Sequence, residues 1–332
     1  MDLWEYVKIE NDTKICLNSI SDLSGGNSSW KSGYKNENIV DGKIIGKIPQ
    51  YIKEENGEFL PVTSMLMTFY GRTNLVEEPE LPSTLEEIEY AFMYCSNLEK
   101  LSSLPKSIKN IEGIYISCSK VASSPIIPDG VENMTGSFLK TNIEKTPYVP
   151  NSVINMNNTL GSCKNLTQIT NLPSKLENMN STFNGCTKIK EVPEIIKSVI
   201  YMNNTFFGCT NLQTAPEIPE TVKTMVSTFQ GTNIKEAPVI PEGVENMNHT
   251  FRECHELIKA PEIPKFVTSM HATFYNCYKL TGEIIINANP TDYEQCFNRC
   301  STDSGAILIL RGESNILNEL LLTKSANSNI QL

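Results

Sequence analysis

The sequence predicts a solenoid of about eleven stacked coils, each 22 or 23 residues long, built mostly from short strands and turns with little helix. Three observations predict this fold. An aromatic residue recurs at that period, apolar residues keep fixed distances from it, and prolines occupy two positions of the same repeat. One unit of this length cannot bury its own apolar face, so neighbouring units stack and share a core. We therefore expect one elongated domain over residues 61–300.

Each coil is centred on an anchor residue, which is aromatic in all coils but one. The anchors are Phe69, Phe92, Tyr115, Phe138, Leu160, Phe183, Phe206, Phe229, Phe251, Phe274 and Phe297. Most coils have valine or leucine seven residues before the anchor, methionine four before it, threonine one before it and cysteine three after it. These positions predict inward-facing ladders of equivalent side chains, spaced about 4.8 Å apart where the coils pair as strands.

The prolines and two short coils define the turns between coils. Fifteen of the 18 prolines lie at the two proline positions of the repeat. We expect them to bracket the turn, because a φ of about −65° suits an extended corner where no backbone donor is needed. After Phe138 and Phe229, LKTNI and QGTNI replace patterns such as FGCTNL. We interpret both as the deletion of one residue at the cysteine position.

The outward positions of the coils are candidates for ligand binding. The residues four to seven before each anchor are expected to form a strand whose two middle side chains point outward. Apolar or aromatic residues stand there at Ile154, Ile200 and Tyr201, and Tyr90 lies close by. Exposed aromatic side chains mark binding hot spots more often than other types do, so these four are the candidate ligand-binding residues. The alternative is that they are scattered surface apolar side chains that need no explanation.

The two ends lack the repeat and are expected to cover the ends of the solenoid. Residues 1–60 contain the strand-like pieces YVKI, KICL and KIIGKI around a Gly/Ser/Asn-rich loop at 21–38. This part is predicted to be an N-terminal cap or a small attached module. In residues 301–332, the pattern of GAILIL predicts a strand, and that of NILNELLLTKSA predicts a short helix with an apolar stripe. This part is predicted to be a C-terminal cap.

Cysteine and histidine are the residues most suggestive of chemistry. Eight of the ten cysteines occupy one position of the repeat, and side chains in such a ladder point the same way. We expect buried thiols acting as small hydrophobes, with some disulfide bridges as the alternative. His249, His255 and His271 stand at different distances from their anchors, so ordinary surface histidine is favoured over a metal site. Since no catalytic or phosphate-binding motif occurs, we expect no enzyme, no cofactor and no metal.

Several Asn-x-Ser/Thr triplets also follow from the repeat. They begin at Asn133, Asn157, Asn180, Asn203 and Asn248, among others. Most of them are the N-x-T that precedes the anchor, and we expect that threonine to be partly buried with its hydroxyl bonded to the backbone. We therefore do not interpret these triplets as glycosylation sites.

The repeat resembles that of a known family. The segment from Leu85, LEEIEYAFMYCSNLEKLSSLPKSI, is similar to the BspA-type (Treponema-type) leucine-rich repeat, L-x-x-I-x-x-A-F-x-x-C-x-x-L-x-x-I-x-L-P. Most other coils have Met for Ile and Thr for Ala, and the resemblance covers about residues 60–300. It implies an α/β leucine-rich-repeat solenoid. It also implies a place among bacterial cell-surface or secreted proteins, some of which are adhesins.

Binding is the function class that remains. The net charge of −10, from 28 basic and 38 acidic residues, argues against a nucleic-acid partner. No apolar run is long enough to insert into a membrane, and the N-terminus lacks the pattern of a Sec signal peptide. We expect a non-enzymatic binding or adhesion protein that recognises a protein or a glycan, at a bacterial surface or on a phage tail. An intracellular protein–protein interaction scaffold is the alternative.

Overall fold

The computed structural model describes residues 7–9, 14–17 and 39–332, so the loop expected at 21–38 lies outside the described residues. The chain forms two compact units, Met1–Cys163 and Lys164–Leu332. Both units are built from stacked coils, and the predicted fold class, a repeat solenoid of short strands and turns with little helix, is confirmed. The boundaries predicted for the two caps remain predictions.

The first unit begins with short strands that cover the edge of its first coil. Strands β1 (Val7–Ile9), β2 (Lys14–Cys16), β5 (Tyr51–Lys53) and β6 (Phe59–Ser64) form a sheet in the order β1-β2-β6-β5. Strand β2 runs parallel to β6, while β1 and β5 are antiparallel to their neighbours. Strands β3 (Ile39–Val40) and β4 (Lys43–Ile44) form a separate hairpin. Its turn, Asp41-Gly42, has φ of 51° and 78°, as the tightest hairpin turns require.

The coils pair through single residues rather than through strands. In each unit the residue five before an anchor forms an isolated parallel bridge with its equivalent in the next coil. The four-residue strand predicted there is therefore wrong in length. The reason is that the backbone of each coil turns within three residues of the bridge. The residues two before and two after the anchor mostly have positive φ, as at Tyr90 (54°) and Gly208 (67°). A left-handed residue ends a strand, and it explains why glycine recurs two residues after the anchor.

The predicted core ladders are confirmed inside each unit. The valines, methionines and aromatic anchors are almost completely buried, including Val199, Met202 and Phe206. In the second unit the six phenylalanine rings from Phe183 to Phe297 stack with centroids 5.5–5.9 Å apart. Backbone hydrogen bonds also connect successive coils beside the stacked rings. For example, the N–H of the anchor Phe206 donates to the carbonyl of Thr228 in the next coil at 2.9 Å. Stacked rings add to the free energy gained from burial alone.

Threonine and cysteine satisfy the backbone carbonyls beside the anchors. The hydroxyl of Thr228 donates to the Met202 carbonyl of the preceding coil at 2.9 Å, and the thiol of Cys209 donates to the Phe183 carbonyl at 3.1 Å. In the short coils Thr141 and Thr232 take the cysteine's place and donate to their own anchors' carbonyls. The prediction that the deletion lies at the cysteine position is therefore wrong. The missing residue is the one immediately after that position.

The cysteines are buried as expected. Nine of them are buried thiols: Cys95, Cys118, Cys163, Cys186, Cys209, Cys254, Cys277, Cys296 and Cys300. Burial raises the pKa of the Cys163 thiol to about 11 and that of Cys254 to about 12. A thiol held protonated in this way is a poor nucleophile, which agrees with a packing role for the ladder.

The second unit ends in a small parallel sheet and one short helix. The strands are β7 (Gly282–Ile285), β8 (Leu308–Arg311) and β9 (Ile330–Gln331), in the order β7-β8-β9. The helix α1 (Leu317–Leu321) buries Leu320. Both the GAILIL strand and the short helix predicted from the sequence are present.

Candidate ligand-binding surface

A row of bridge-forming residues defines one outward face of each unit. We call it the bridge row. In the first unit it consists of Ser64, Glu87, Asn110, Asn133 and Asn155, and in the second of Asn178, Tyr201, Thr224, Asn246, Ser269 and Asp292. The residues just before the row, such as Ile154 and Lys223, also point outward. The residues on either side, seven and four before the anchor, are buried. The outward orientation predicted for these pairs is therefore confirmed.

Two of the four predicted site residues are well exposed on this face. Ile154 in the first unit is 40% exposed, and Tyr201 in the second unit is 45% exposed. Ile200, next to Tyr201, is half-buried. Ile200 and Tyr201 are thus brought together in one unit, whereas Ile154 belongs to the other unit. Their role in binding stays a prediction.

The fourth predicted residue, Tyr90, has a different environment. It stands two residues before its anchor, outside the bridge row, and is half-buried. Its hydroxyl donates to the Glu112 carboxylate, and its ring covers Gly113 so closely that a Cβ there would lie 2.2 Å from a ring carbon. Burial, followed by the bond to Glu112, raises the pKa of Tyr90. These contacts give Tyr90 a packing role between neighbouring coils, while its remaining exposed part stays a predicted contact.

The asparagines of the row hold the turn that follows it, which the sequence did not reveal. The side-chain oxygen of Asn178 accepts the N–H of Asn180 in its own coil at 2.9 Å, and Asn155 and Asn246 accept in the same way. Where the row residue is Tyr201, the Asn203 N–H donates instead to Asn180 of the preceding coil at 2.8 Å. Asn180, two residues after the row residue of its own coil, thus replaces the acceptor that a row asparagine would supply in the next coil. The row position of that next coil can therefore carry another side chain, here Tyr201.

This arrangement also accounts for the Asn-x-Thr triplets of the second unit. The oxygens of Asn203 and Asn248 accept N–H groups of the next coil, from Val226 at 2.9 Å and His271 at 2.7 Å. The threonines of these triplets, Thr205 and Thr250, are completely buried. The burial expected for these threonines is confirmed, and the triplets have a structural explanation.

Two of the three histidines lie together, although they stand at different distances from their anchors. The rings of His249 and His271 lie 5.1 Å apart, and His271 Nδ1 is 3.6 Å from the Asp292 carboxylate. Burial, then repulsion from His271, lowers the pKa of His249. His255 instead stacks on Tyr278. No group of three potential ligand side chains in the described residues has the geometry to hold a metal ion.

Among the described residues, the chain has no helix with the length and apolarity needed to cross a bilayer. The repeats and their buried ladders define the class of protein: a leucine-rich-repeat solenoid with exposed, variable positions on a constant core.

The chain belongs to the BspA-type leucine-rich repeat family. The family model, described as "BspA type Leucine rich repeat region", matches in six copies over residues 67–190, 135–258 and 226–309. This confirms the resemblance read from the sequence. A comparison with curated proteins finds no significant match.

Solved structures with similar folds include several bacterial proteins. A leucine-rich repeat protein from Bacteroides ovatus has a TM-score of 0.61 at 18% identity, over 98% of this chain and 80% of the other. The pneumococcal vaccine antigen PcpA has a TM-score of 0.49 at 16% identity, over 86% and 88%. A leucine-rich cell surface protein from Faecalibacterium prausnitzii has a TM-score of 0.43 at 19% identity, over 91% of this chain and 97% of the other. Of these three, the first supports the solenoid fold.

Proposed function

We propose that this chain is a non-enzymatic binding protein that recognises a protein or a glycan at a bacterial surface or on a phage tail. The observation that carries the proposal is the contrast between a constant core and a variable face. Anchor, methionine and valine positions hardly change from coil to coil, whereas the bridge row contains Ser, Glu, Asn, Tyr, Thr and Asp. Stacked repeats of this kind create extended surfaces on which side chains vary without disturbing the fold.

The bridge row contributes one candidate contact patch in each unit. In the second unit Tyr201 and Ile200 form an apolar pair between polar neighbours, and in the first unit Ile154 stands beside Asn155. Large apolar side chains at such positions are costly to leave in water and favourable to bury against a partner. Tyr90, through the exposed part of its ring, is a further predicted contact of the first unit.

Binding to defined ligands tests this proposal. The labelled full chain is applied to a glycan array and to intact cells of a panel of bacteria. Tyr201→Ala and Ile154→Ala are then measured separately on every ligand that binds. Loss of a hot-spot side chain reduces affinity about tenfold or more, so we expect such a loss for at least one of the two variants.

Tyr148→Ala is the matched control, because Tyr148 is 68% exposed but lies in the proline turn, away from the bridge row. We expect its binding to stay within about twofold of the unmodified chain. Affinity unchanged in both test variants would reject the bridge row as the binding face. The absence of binding to every glycan and every cell type would reject the surface-recognition function.

A second candidate function is an intracellular scaffold for protein–protein interaction. The buried thiol ladder favours it, because cysteines are usually kept as thiols in reducing compartments. Immunodetection of the native protein in fractionated cells separates the two candidates: signal confined to the cytosolic fraction supports the scaffold, and signal on intact cells or particles supports surface recognition.

A further inference from the structure

The second unit concentrates rare side chains at one place. All three histidines and two of the four arginines of the chain lie within residues 249–299. Five side chains of this segment lie on the turns after the anchors Phe251, Phe274 and Phe297. We call them the tyrosine surface, which consists of Arg252, His255, Tyr275, Tyr278 and Arg299. It is separate from the bridge row, and none of the site residues predicted from the sequence belongs to it.

Two tyrosines of a single coil form the centre of this surface. The guanidinium carbon of Arg252, from the preceding coil, lies 4.7 Å from the centre of the Tyr275 ring. Tyr278 is contacted from both neighbouring coils. The His255 ring stacks on it with centroids 4.9 Å apart and planes 13° apart, and the Arg299 guanidinium lies 5.7 Å from its ring centre. Planar groups thus form layers across three successive coils.

These layers hold the side chains in place before any partner arrives. A guanidinium on a ring face is attracted by the electrons of the ring, and it keeps the N–H groups at its edge available for hydrogen bonds. His255 and Arg299 are exposed, and both tyrosines are half-buried. Side chains that are already ordered lose less conformational entropy on binding, so this surface is suited to contribute affinity.

The local charges leave one cation uncompensated. Arg252 Nε lies 3.2 Å from the Glu253 carboxylate, and Lys279 Nζ lies 2.7 Å from that of Glu256. In the part of the chain that the structure describes, no carboxylate lies within 4.0 Å of the Arg299 guanidinium. A planar guanidinium binds a carboxylate through two parallel hydrogen bonds, which makes it selective for that group.

We propose that the tyrosine surface is a contact site for a protein partner that presents an aspartate or glutamate side chain beside an apolar one. The carboxylate pairs with Arg299, and the apolar neighbour packs on Tyr278 and His255. Tyrosine and arginine are among the side chains most enriched in protein–protein hot spots, which favours a protein over an acidic glycan. The inference rests on the proposed binding function but assigns it to residues outside the bridge row.

Selection of displayed peptides on the full chain tests this site. A library of random 12-residue peptides is selected against the unmodified protein. The enriched peptides are synthesised in two forms, one with the acidic residues intact and one with each replaced by its amide. Affinities are measured for the unmodified protein and for Arg299→Gln, Arg299→Lys and Tyr278→Leu. Arg311→Gln is the matched control, since Arg311 is exposed in the same unit and pairs with Glu283.

We expect the enriched peptides to contain an acidic residue. Arg299→Gln, Tyr278→Leu and the amide peptide should each reduce affinity about tenfold or more, and Arg299→Lys should reduce it less. Arg311→Gln should stay within about twofold. Thermal unfolding of each variant verifies its fold, and Arg299→Lys tests the site should Arg299→Gln not fold.

The other outcomes overturn the inference in distinguishable ways. Peptides that bind equally well to Arg299→Gln and in their amide form would reject the tyrosine surface while leaving the binding function intact. Acidic glycans on an array that lose binding with Arg299→Gln, in the absence of any peptide binder, would replace the protein partner by a glycan. No binding of peptide, glycan or cell would reject the proposed function and the inference together.

Discussion

The two units of the chain use the same repeat but differ in what they bury. The second unit stacks six phenylalanine anchors whose rings deviate from parallel by 2° to 17°, and its buried polar residues are serine and threonine. The first unit has Tyr115 as an anchor, tilted by 21° and 35° against its neighbours. It also buries the carboxyl of Glu78, which is 4% exposed. The same architecture thus tolerates a polar core in one unit.

The polar core of the first unit contains buried oxygen atoms whose hydrogen bonds are incomplete. Glu78 Oε2 accepts the Ser102 N–H at 2.5 Å, and the Tyr115 hydroxyl lies close to the same carboxyl. Glu78 Oε1 and the Tyr115 hydroxyl are nevertheless buried without a hydrogen bond of good geometry. Burial raises the pKa of Glu78 to about 8, so the carboxyl is mostly neutral at pH 7. The comparison predicts that the core of the first unit responds to pH, whereas the stability of the second unit's core depends on packing.

The largest effect is expected from a cavity in the second unit. Phe206→Ala removes a ring that is completely buried and stacked on both sides, so it should lower the free energy of unfolding by about 3–5 kcal/mol. Urea unfolding of the full chain measures this. Tyr148→Ala, at an exposed position, should change it by less than about 0.5 kcal/mol. An unchanged unfolding midpoint for Phe206→Ala would contradict the inward placement of the anchors.

The next effect concerns pH and the first unit. Because the pKa of Glu78 is higher in the folded chain than its ordinary value, its protonated form stabilises the fold fully below the unfolded pKa. That stabilisation is lost as the pH rises towards about 8. The slope is at most about 1.4 kcal/mol per pH unit. Urea unfolding between pH 5 and pH 9 measures it.

Glu78→Gln should remove this contribution, because the amide does not titrate. At pH 8 the variant should therefore be more stable relative to the unmodified chain than it is at pH 5. Glu80→Gln, at a nearby exposed carboxylate, is the control and should keep the pH profile unchanged. Identical profiles for Glu78→Gln and the unmodified chain would show that Glu78 titrates normally.

A smaller effect is expected from the asparagines that connect coils in the second unit. Asn203 accepts two hydrogen bonds from the next coil, from the Thr224 hydroxyl at 2.8 Å and the Val226 N–H at 2.9 Å. Asn203→Ala leaves these donors without their acceptor and should cost about 1–2 kcal/mol. The exposed Asn211→Ala should cost less than about 0.5 kcal/mol. Equal unfolding free energies for both variants would contradict a structural role for the Asn-x-Thr triplets.

The sequence predicted the parts of this molecule that repeat residue by residue. Period, core ladders and cysteine burial follow from identical residue types at identical positions, as at Met202 and Phe206. One feature could not be predicted because it joins different positions of neighbouring coils. Arg299, two residues after its anchor, reaches Tyr278, four residues after the previous one. Strand length was overpredicted because a left-handed residue, such as Asn204 with a φ of 55°, interrupts the extended chain soon after the bridge.

The smallest effect is expected from the hydroxyl of Tyr115 in the polar core of the first unit. Tyr115→Phe removes a buried hydroxyl without a well-formed hydrogen bond and restores the anchor type of the second unit. We expect stability to change by less than about 1 kcal/mol, in the stabilising direction, because an unsatisfied polar group leaves the core. The hydroxyl favours the ionised form of Glu78, so its removal should also shift the pH dependence towards higher pH. Urea unfolding across the same pH range measures both effects. A loss of more than about 1 kcal/mol would mean that the hydroxyl and the Glu78 carboxyl form a strong bond, and the polar core would then stabilise the first unit.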